Sequence, residues 1–219
     1  MTTALLAAAA ITTGAASAHA TFLPTPNYVE TGDAGQTLAT AQAAGAFPGG
    51  ASTISGTIAN GNDADLYSFT LAATTSLQFA LTSTTNGIDT GLFLFNSTGQ
   101  ALFANNDGSG TSVNPILRAL NLAAGTYFLG IAISGNEPVN SANQLLFAMG
   151  TTTSTRGAAS GVNPTTLAGF NSNPDFPGDT GAYSIAITAV PEPSTNVALA
   201  LGGAVALTLV RRFRRSQAA

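Results

Sequence analysis

The sequence predicts an all-β protein: an antiparallel β-sandwich or jelly roll over residues 51–190, flanked by an N-terminal signal peptide and a short C-terminal membrane helix. Three observations carry this. Segments between Ala51 and Val190 alternate apolar and polar residues with period two, they recur at roughly ten-residue spacing, and turn-forming clusters of Gly, Asn and Asp separate them. No comparable helical period runs through the same stretch.

Residues 1–20 contain an apolar run, Ala4 to Ile11, and close on Ala18-His19-Ala20, the small-x-small pattern that signal peptidase accepts. No Lys or Arg precedes the run, so either translation starts at another position or the terminal amine alone supplies the positive end of the signal. The alternative is an Ala-rich helix buried in the fold, but the Gly and Ser ahead of Ala20 suit a cleavage region better. Cleavage leaves Thr21 first, and residues 21–50 then form a lead-in segment to the sandwich.

Within the body, Tyr67, Phe69 and Leu71 share one face of a strand whose other face carries Ser68 and Thr70. Leu77, Phe79 and Leu81 repeat the pattern, as do Tyr127, Leu129, Ile131 and Ile133, and finally Tyr183, Ile185 and Ile187. The stretch Gly91 to Phe95 is apolar on both faces and reads as a central strand. Gly125 can take a positive φ, turning the chain so that Tyr127 enters the sheet facing the core with its hydroxyl at the rim. The long loop 151–180 lacks a strand period and is rich in Thr, Ser, Gly and Asn. It is either a disordered excursion or a packed functional loop. Phe170 and Phe176, beside Asp175 and Asp179, are its candidate glycan contacts, the alternative being rings tucked onto the sandwich rim.

The tail runs Val190-Pro191-Glu192-Pro193-Ser194-Thr195, then an apolar stretch over 197–210, then Arg211-Arg212-Phe213-Arg214-Arg215. A helix over that stretch rises only ~21 Å against a hydrocarbon core of ~30 Å, which suits a processed segment better than a permanent span. Positive charge beside a membrane segment stays cytoplasmic, so everything before Pro191 lies outside. Pro191 and Pro193 fix φ and favour extended geometry, presenting Glu192 in a form a protease can grip. A tail anchor that is never cut, held in a locally thinned bilayer, is the alternative.

Over residues 21–190 nine acidic residues face only Arg118 and Arg156, a charge of −7, with no Lys in the chain. That disfavours nucleic-acid binding. Cysteine is absent and the single histidine, His19, leaves with the signal peptide. His-based triads, His/Cys zinc sites and thiol nucleophiles are thereby excluded from the processed body. Paired carboxylates of the glycosidase kind need only two acids at suitable spacing, yet nothing nominates a pair, since the aspartates sit where turns expect them. Calcium is the better use of such side chains, and Asp63 and Asp65 in one loop with Asp107 in another are its candidate ligands, against ordinary turns as the alternative. Neither loop has the acidic residue at position twelve that an EF-hand needs.

Two resemblances follow from these residues. The Pro-Glu-Pro box, short apolar helix and terminal Arg cluster resemble the PEP-CTERM sorting signal. That resemblance implies transient inner-membrane insertion, cleavage by exosortase and passage to the surface of an exopolysaccharide-making bacterium. Ile54-Ser55-Gly56-Thr57-Ile58, Asn62 to Phe69, Leu122 to Phe128 and Gly181 to Ile185, with the lead-in Val29 to Asp33 and Thr37 to Gln42, are similar to the bacterial pre-peptidase C-terminal domain family. Ala123 stands where that family usually has proline. The resemblance implies a β-sandwich, and calcium at loops comparable to those above. The function expected is a non-enzymatic structural or adhesive component of the cell surface or matrix, its partners signal peptidase, exosortase and exopolysaccharide. A carbohydrate-binding module, calcium-dependent or not, is the second reading, and an extracellular hydrolase the third.

Overall fold

Residues 27–85, 87–149 and 153–190 are described by a computed structural model. The predicted signal peptide, the box Pro191-Glu192-Pro193, the helix 197–210 and Arg211, Arg212, Arg214 and Arg215 lie outside the described residues. The period-two segments become the long strands of two facing sheets. In chain order the strands are β1 (Asn27–Val29), β2 (Gln42–Ala46), β3 (Ala51–Ile58), β4 (Ala64–Leu71), β5 (Thr75–Thr84), β6 (Thr90–Asn96) and β7 (Ala101–Asn105). There follow β8 (Ile116–Leu122), β9 (Gly125–Ile133), β10 (Pro138–Val139), β11 (Arg156–Gly157), β12 (Gly169–Phe170) and β13 (Gly181–Ala189).

One sheet has the order β1-β3-β13-β5-β8 and the facing sheet the order β11-β7-β6-β9-β4-β2, with β10 and β12 paired apart from both. Every pairing is antiparallel except two, β1 with β3 and β2 with β4, both made by the lead-in. The body is the antiparallel sandwich the sequence predicts, and the two parallel pairs are added by the lead-in, a segment arriving from outside the body that joins each edge in the direction its path allows. The lead-in thus joins the edge of one sheet, crosses, and joins the edge of the other.

Between the sheets, Ile54, Phe69, Phe79, Leu94, Leu129 and Ile185 belong to one buried cluster with the other inward residues. Burying such side chains contributes ~1.5–3 kcal/mol each, the dominant favourable contribution to folding. Tyr127 faces this core as expected, stacked 5.8 Å from Phe69, and its hydroxyl donates to the Ala123 carbonyl at 2.9 Å. The tight turn before it uses Gly125 at φ 151°.

A second cluster lies on the opposite face of the six-stranded sheet. There Leu66, Phe93 and Phe95 from β4 and β6 are covered by Leu146, Phe147, Met149, Leu167 and Phe170. The described part of the 151–180 loop, with the segment ahead of it, is therefore a packed strap over that sheet, pinned by bridges from Phe147 to Ala158 and from Gln100 to Thr166. β6 is the central strand its two-faced apolar pattern predicts, buried on both sides from Thr90 to Phe95.

Candidate functional site

The lead-in brings two carboxylates to a third that the body buries. Glu30 follows β1, where its N–H donates to the Ser55 carbonyl at 2.8 Å, and Asp33 lies in the turn beyond. Gln42 on β2 holds that turn in place: its side-chain oxygen accepts from Tyr28 Oη and the Thr31 N–H, and its side-chain nitrogen donates to the Thr31 carbonyl. Asp65 is the second residue of β4 and has no solvent exposure. One carboxylate oxygen from each of Glu30, Asp33 and Asp65 lies within 4.8 Å of the other two. Glu30, Asp33 and Asp63, the last 6 % exposed, line a cleft of about 410 Å³ together with Gly56, Thr57 and Tyr183.

Hydrogen bonding accounts for most of these oxygens but not all. Glu30 accepts from the Ala34 and Thr57 N–H groups, Asp33 from the Gly35 N–H and Asp63 from the Ala59 N–H. Tyr183 Oη donates to Asp65 Oδ2 at 2.6 Å, so the proton shared between the two buried phenols comes from Tyr67. Asp65 Oδ1 is buried without any hydrogen-bond partner. Burial drives the Asp65 carboxyl up to about 8 despite the Tyr183 hydrogen bond, and the charges of Glu30, Asp63 and Asp33 push the same way. Burial raises Tyr67 and Tyr183 too, so both phenols stay protonated.

Gly56 keeps this arrangement open. A Cβ there would lie 2.6 Å from Tyr67 Oη and 2.7 Å from Glu30 Oε2, and closer still to Tyr183 Oη. Only a residue without a side chain lets the phenols and the lead-in carboxylate converge over β3.

A buried carboxylate with an unsatisfied oxygen needs either a proton or a cation. Oxygens bound to one calcium at ~2.4 Å lie at most ~4.8 Å apart, so the spacing of the three acids suits that ion. Each acid keeps lone pairs beyond those used by the backbone, so the donor set fits calcium. Of the sequence candidates, Asp65 is in the cluster and Asp63 beside it, capping the turn between β3 and β4. Asp107 is not: it lies past the end of β7, in a second acidic group with Asp89, Asp175 and Asp179, whose charges act after burial to raise Asp89 to about 6. Glu137 joins that group, raised to about 7 by burial and then by Asp175. Glu30 and Asp33 were not singled out from the sequence as candidate ligands, though the lead-in that carries them was.

The candidate glycan contacts separate. Phe170 is 9 % exposed and packs edge-on to Phe93 at 6.0 Å, so its ring serves the second core and is no stacking platform, a correction to the sequence reading. Phe176 is 46 % exposed. Its loop is tied down by Gly61 N–H to the Pro177 carbonyl and by Asp175 to Ser134 through both backbone and side chain.

Comparison with known proteins places these features. Residues 63–132 match the family described as bacterial pre-peptidase C-terminal domain, and residues 189–215 match the PEP-CTERM protein-sorting motif. Both are non-catalytic modules, and the second marks an exported protein with a transient membrane anchor that exosortase processes. No curated protein matches the chain. Among solved structures, the pre-peptidase C-terminal domain of a Bacillus anthracis collagenase is similar at 12 % identity and TM-score 0.38, covering 76 % of this chain and all of that one. PliG from Aeromonas hydrophila, a periplasmic inhibitor of g-type lysozyme, gives 12 % identity and TM-score 0.36 over 75 % of this chain and 96 % of its own. Its Salmonella Typhimurium counterpart gives 14 % and 0.28, over 76 % and 100 %.

Proposed function

We propose that the chain is a non-enzymatic structural or adhesive module of the bacterial cell surface or exopolysaccharide matrix, with calcium clasping its lead-in to the sandwich. The route outward is supported by the sorting-motif match at the C-terminus. Absence of activity is supported by the inventory: without its signal peptide the chain has neither histidine nor cysteine. The observation that carries the calcium clasp is Asp65 Oδ1, buried and unpartnered beside Glu30 and Asp33. Calcium there would bond two lead-in carboxylates to a body carboxylate, fixing both edge pairings at once.

Calcium at a hundredfold excess over its dissociation constant should stabilise the processed protein by ~2.7 kcal/mol, because it binds the native state alone. For a domain of this size that is roughly 5–10 °C in melting midpoint. Thermal unfolding in calcium and in chelator measures it, and coincident midpoints would remove the clasp. For the route, Glu192→Ala or deletion of residues 211–215 should leave uncut precursor in the inner membrane. Cell fractionation with mass spectrometry of the C-terminus reads the outcome, and a wild-type surface form still ending at Ala219 would contradict processing.

A further inference from the structure

The acidic residues of the sandwich are segregated along its long axis. One pole is formed where β3 ends and β13 begins, with Ile58 opposite Gly181, and where β9 ends and β4 and β6 begin, with Ala132 opposite Ala64 and Ile133 opposite Thr90. All nine acidic residues among those described lie at this pole: Asp65 near the start of β4, and the others in the connections that leave or enter the strand ends here, those of β1 and β7 included. The other pole is built from loops 47–50, 72–74, 97–99 and 123–124, which contain no Asp, Glu, Lys or Arg. Ala72, Ala73, Ala123 and Ala124 are exposed there, and Leu120, near its rim on β8, is 59 % exposed. The nine residues of β13 separate the poles by ~30 Å.

The chain leaves the body from the uncharged pole. The Ala189 N–H donates to the Gly50 carbonyl and the Val190 N–H to the Ser76 carbonyl, so the last described residue is fixed there. Residues 191–196 separate it from the apolar run and can span at most ~21 Å, so the body cannot stray far from whatever surface the tail enters. A bilayer with anionic lipids repels carboxylates within a Debye length of ~8 Å and tolerates an uncharged surface of small side chains. Arg118, on the outer face of the β5–β8 pair and bonded to Gln78, lies in the half nearer the tail, where an anionic surface attracts it.

We propose that the uncharged pole is a membrane-facing surface: with residues 197–210 held in the bilayer, this pole rests on the anionic headgroups and points the acidic pole away from them. The proposal rests on the reading of the tail as a membrane-inserted sorting signal. It sets Pro191-Glu192-Pro193, which directly follows the fixed residue, at the lipid surface where an integral-membrane peptidase works.

The chain has no cysteine, so single-cysteine variants report position cleanly. Ala73→Cys marks the uncharged pole, and Gly178→Cys the acidic pole, at a site where a Cβ meets nothing within 4 Å. Each full-length variant is labelled with a fluorophore and reconstituted into vesicles of phosphatidylethanolamine and phosphatidylglycerol carrying a headgroup quencher. Flotation reports insertion, and quenching reports orientation. The expected result is flotation of both, with quenching at residue 73 several-fold stronger than at 178, and with that ratio reduced when Ala73→Cys is combined with Ala123→Asp and Ala124→Asp. Flotation with equal quenching at the two positions, or stronger quenching at 178, overturns the orientation and leaves the tail reading standing. Failure to float overturns both.

Discussion

Replacing Asp65 with Asn is expected to stabilise the calcium-free protein at pH 8 by about 2 kcal/mol or more and to abolish its response to calcium. The native carboxyl is raised to about 8, mainly by burial, whereas an unfolded aspartate titrates near ~3.9. The native state therefore holds its proton more tightly than the unfolded chain does. The stabilisation from that proton is fully present below the unfolded value and is lost as pH rises through the native one, at about 1.4 kcal/mol per unit. Asp89 and Glu137, raised to about 6 and about 7, add declines of the same sign in the lower part of the window. Without calcium, wild-type stability should thus fall between pH 4 and 8; with calcium bound, Asp65 is held ionised and the upper part of the fall disappears. Asn mimics the protonated acid: its oxygen can still accept from Tyr183, and its amide points donors at a site crowded with carboxylates. Urea denaturation of both proteins at pH 5 and pH 8, with calcium and with chelator, gives the comparison. A variant less stable than wild type in chelator at pH 8 would show that Asp65 is not the proton store, and one that retains the calcium gain would show that it is not the ligand.

Much of the sandwich was legible because inward positions alternate with period two: Tyr67, Phe69 and Leu71, or Tyr183, Ile185 and Ile187, enter the core in register with the pattern. β7 was not, because Ala101 to Asn105 has no alternation. β8 buries Leu117, Ala119 and Leu122, but exposed Ile116 and Leu120 blur its apolar period. Asp65 was legible as a turn acid entering a strand. Glu30 and Asp33, which lie beside it, were not, since the parallel pairing of β1 with β3 carries them there across some thirty residues and leaves no local spacing to read. The strap was hidden by composition. Thr, Ser, Gly and Asn surround a few apolar residues whose purpose appears only when Leu66, Phe93 and Phe95 are seen on the outer face of the sheet. Phe170 was misread for the same reason, an aromatic in a polar loop suggesting a ligand when an uncovered sheet face was the stronger claim on it.

That face also decides how the molecule unfolds. Phe147 is 1 % exposed and packs against two strand residues at once, its ring 5.9 Å from Phe93 and 5.8 Å from Phe95. Truncating it to Ala removes those contacts and leaves a cavity that the strap, bridged at Ala158, cannot fully close, at a cost of ~3–5 kcal/mol. β6 couples this loss to the main core, because Leu92 and Leu94 point between the sheets while Phe93 and Phe95 point under the strap. Loosening one side of a strand buried on both sides removes support from the other, so Phe147→Ala should shift a single cooperative transition. Phe176→Ala, at a ring already 46 % exposed, should change stability by less than ~0.5 kcal/mol. Denaturant unfolding followed by tyrosine fluorescence, with amide exchange resolved by strand, separates the outcomes. If β10 and β12 exchange freely in Phe147→Ala while β9 and β13 keep wild-type protection, the strap is an independent cover and the two cores do not fold as one.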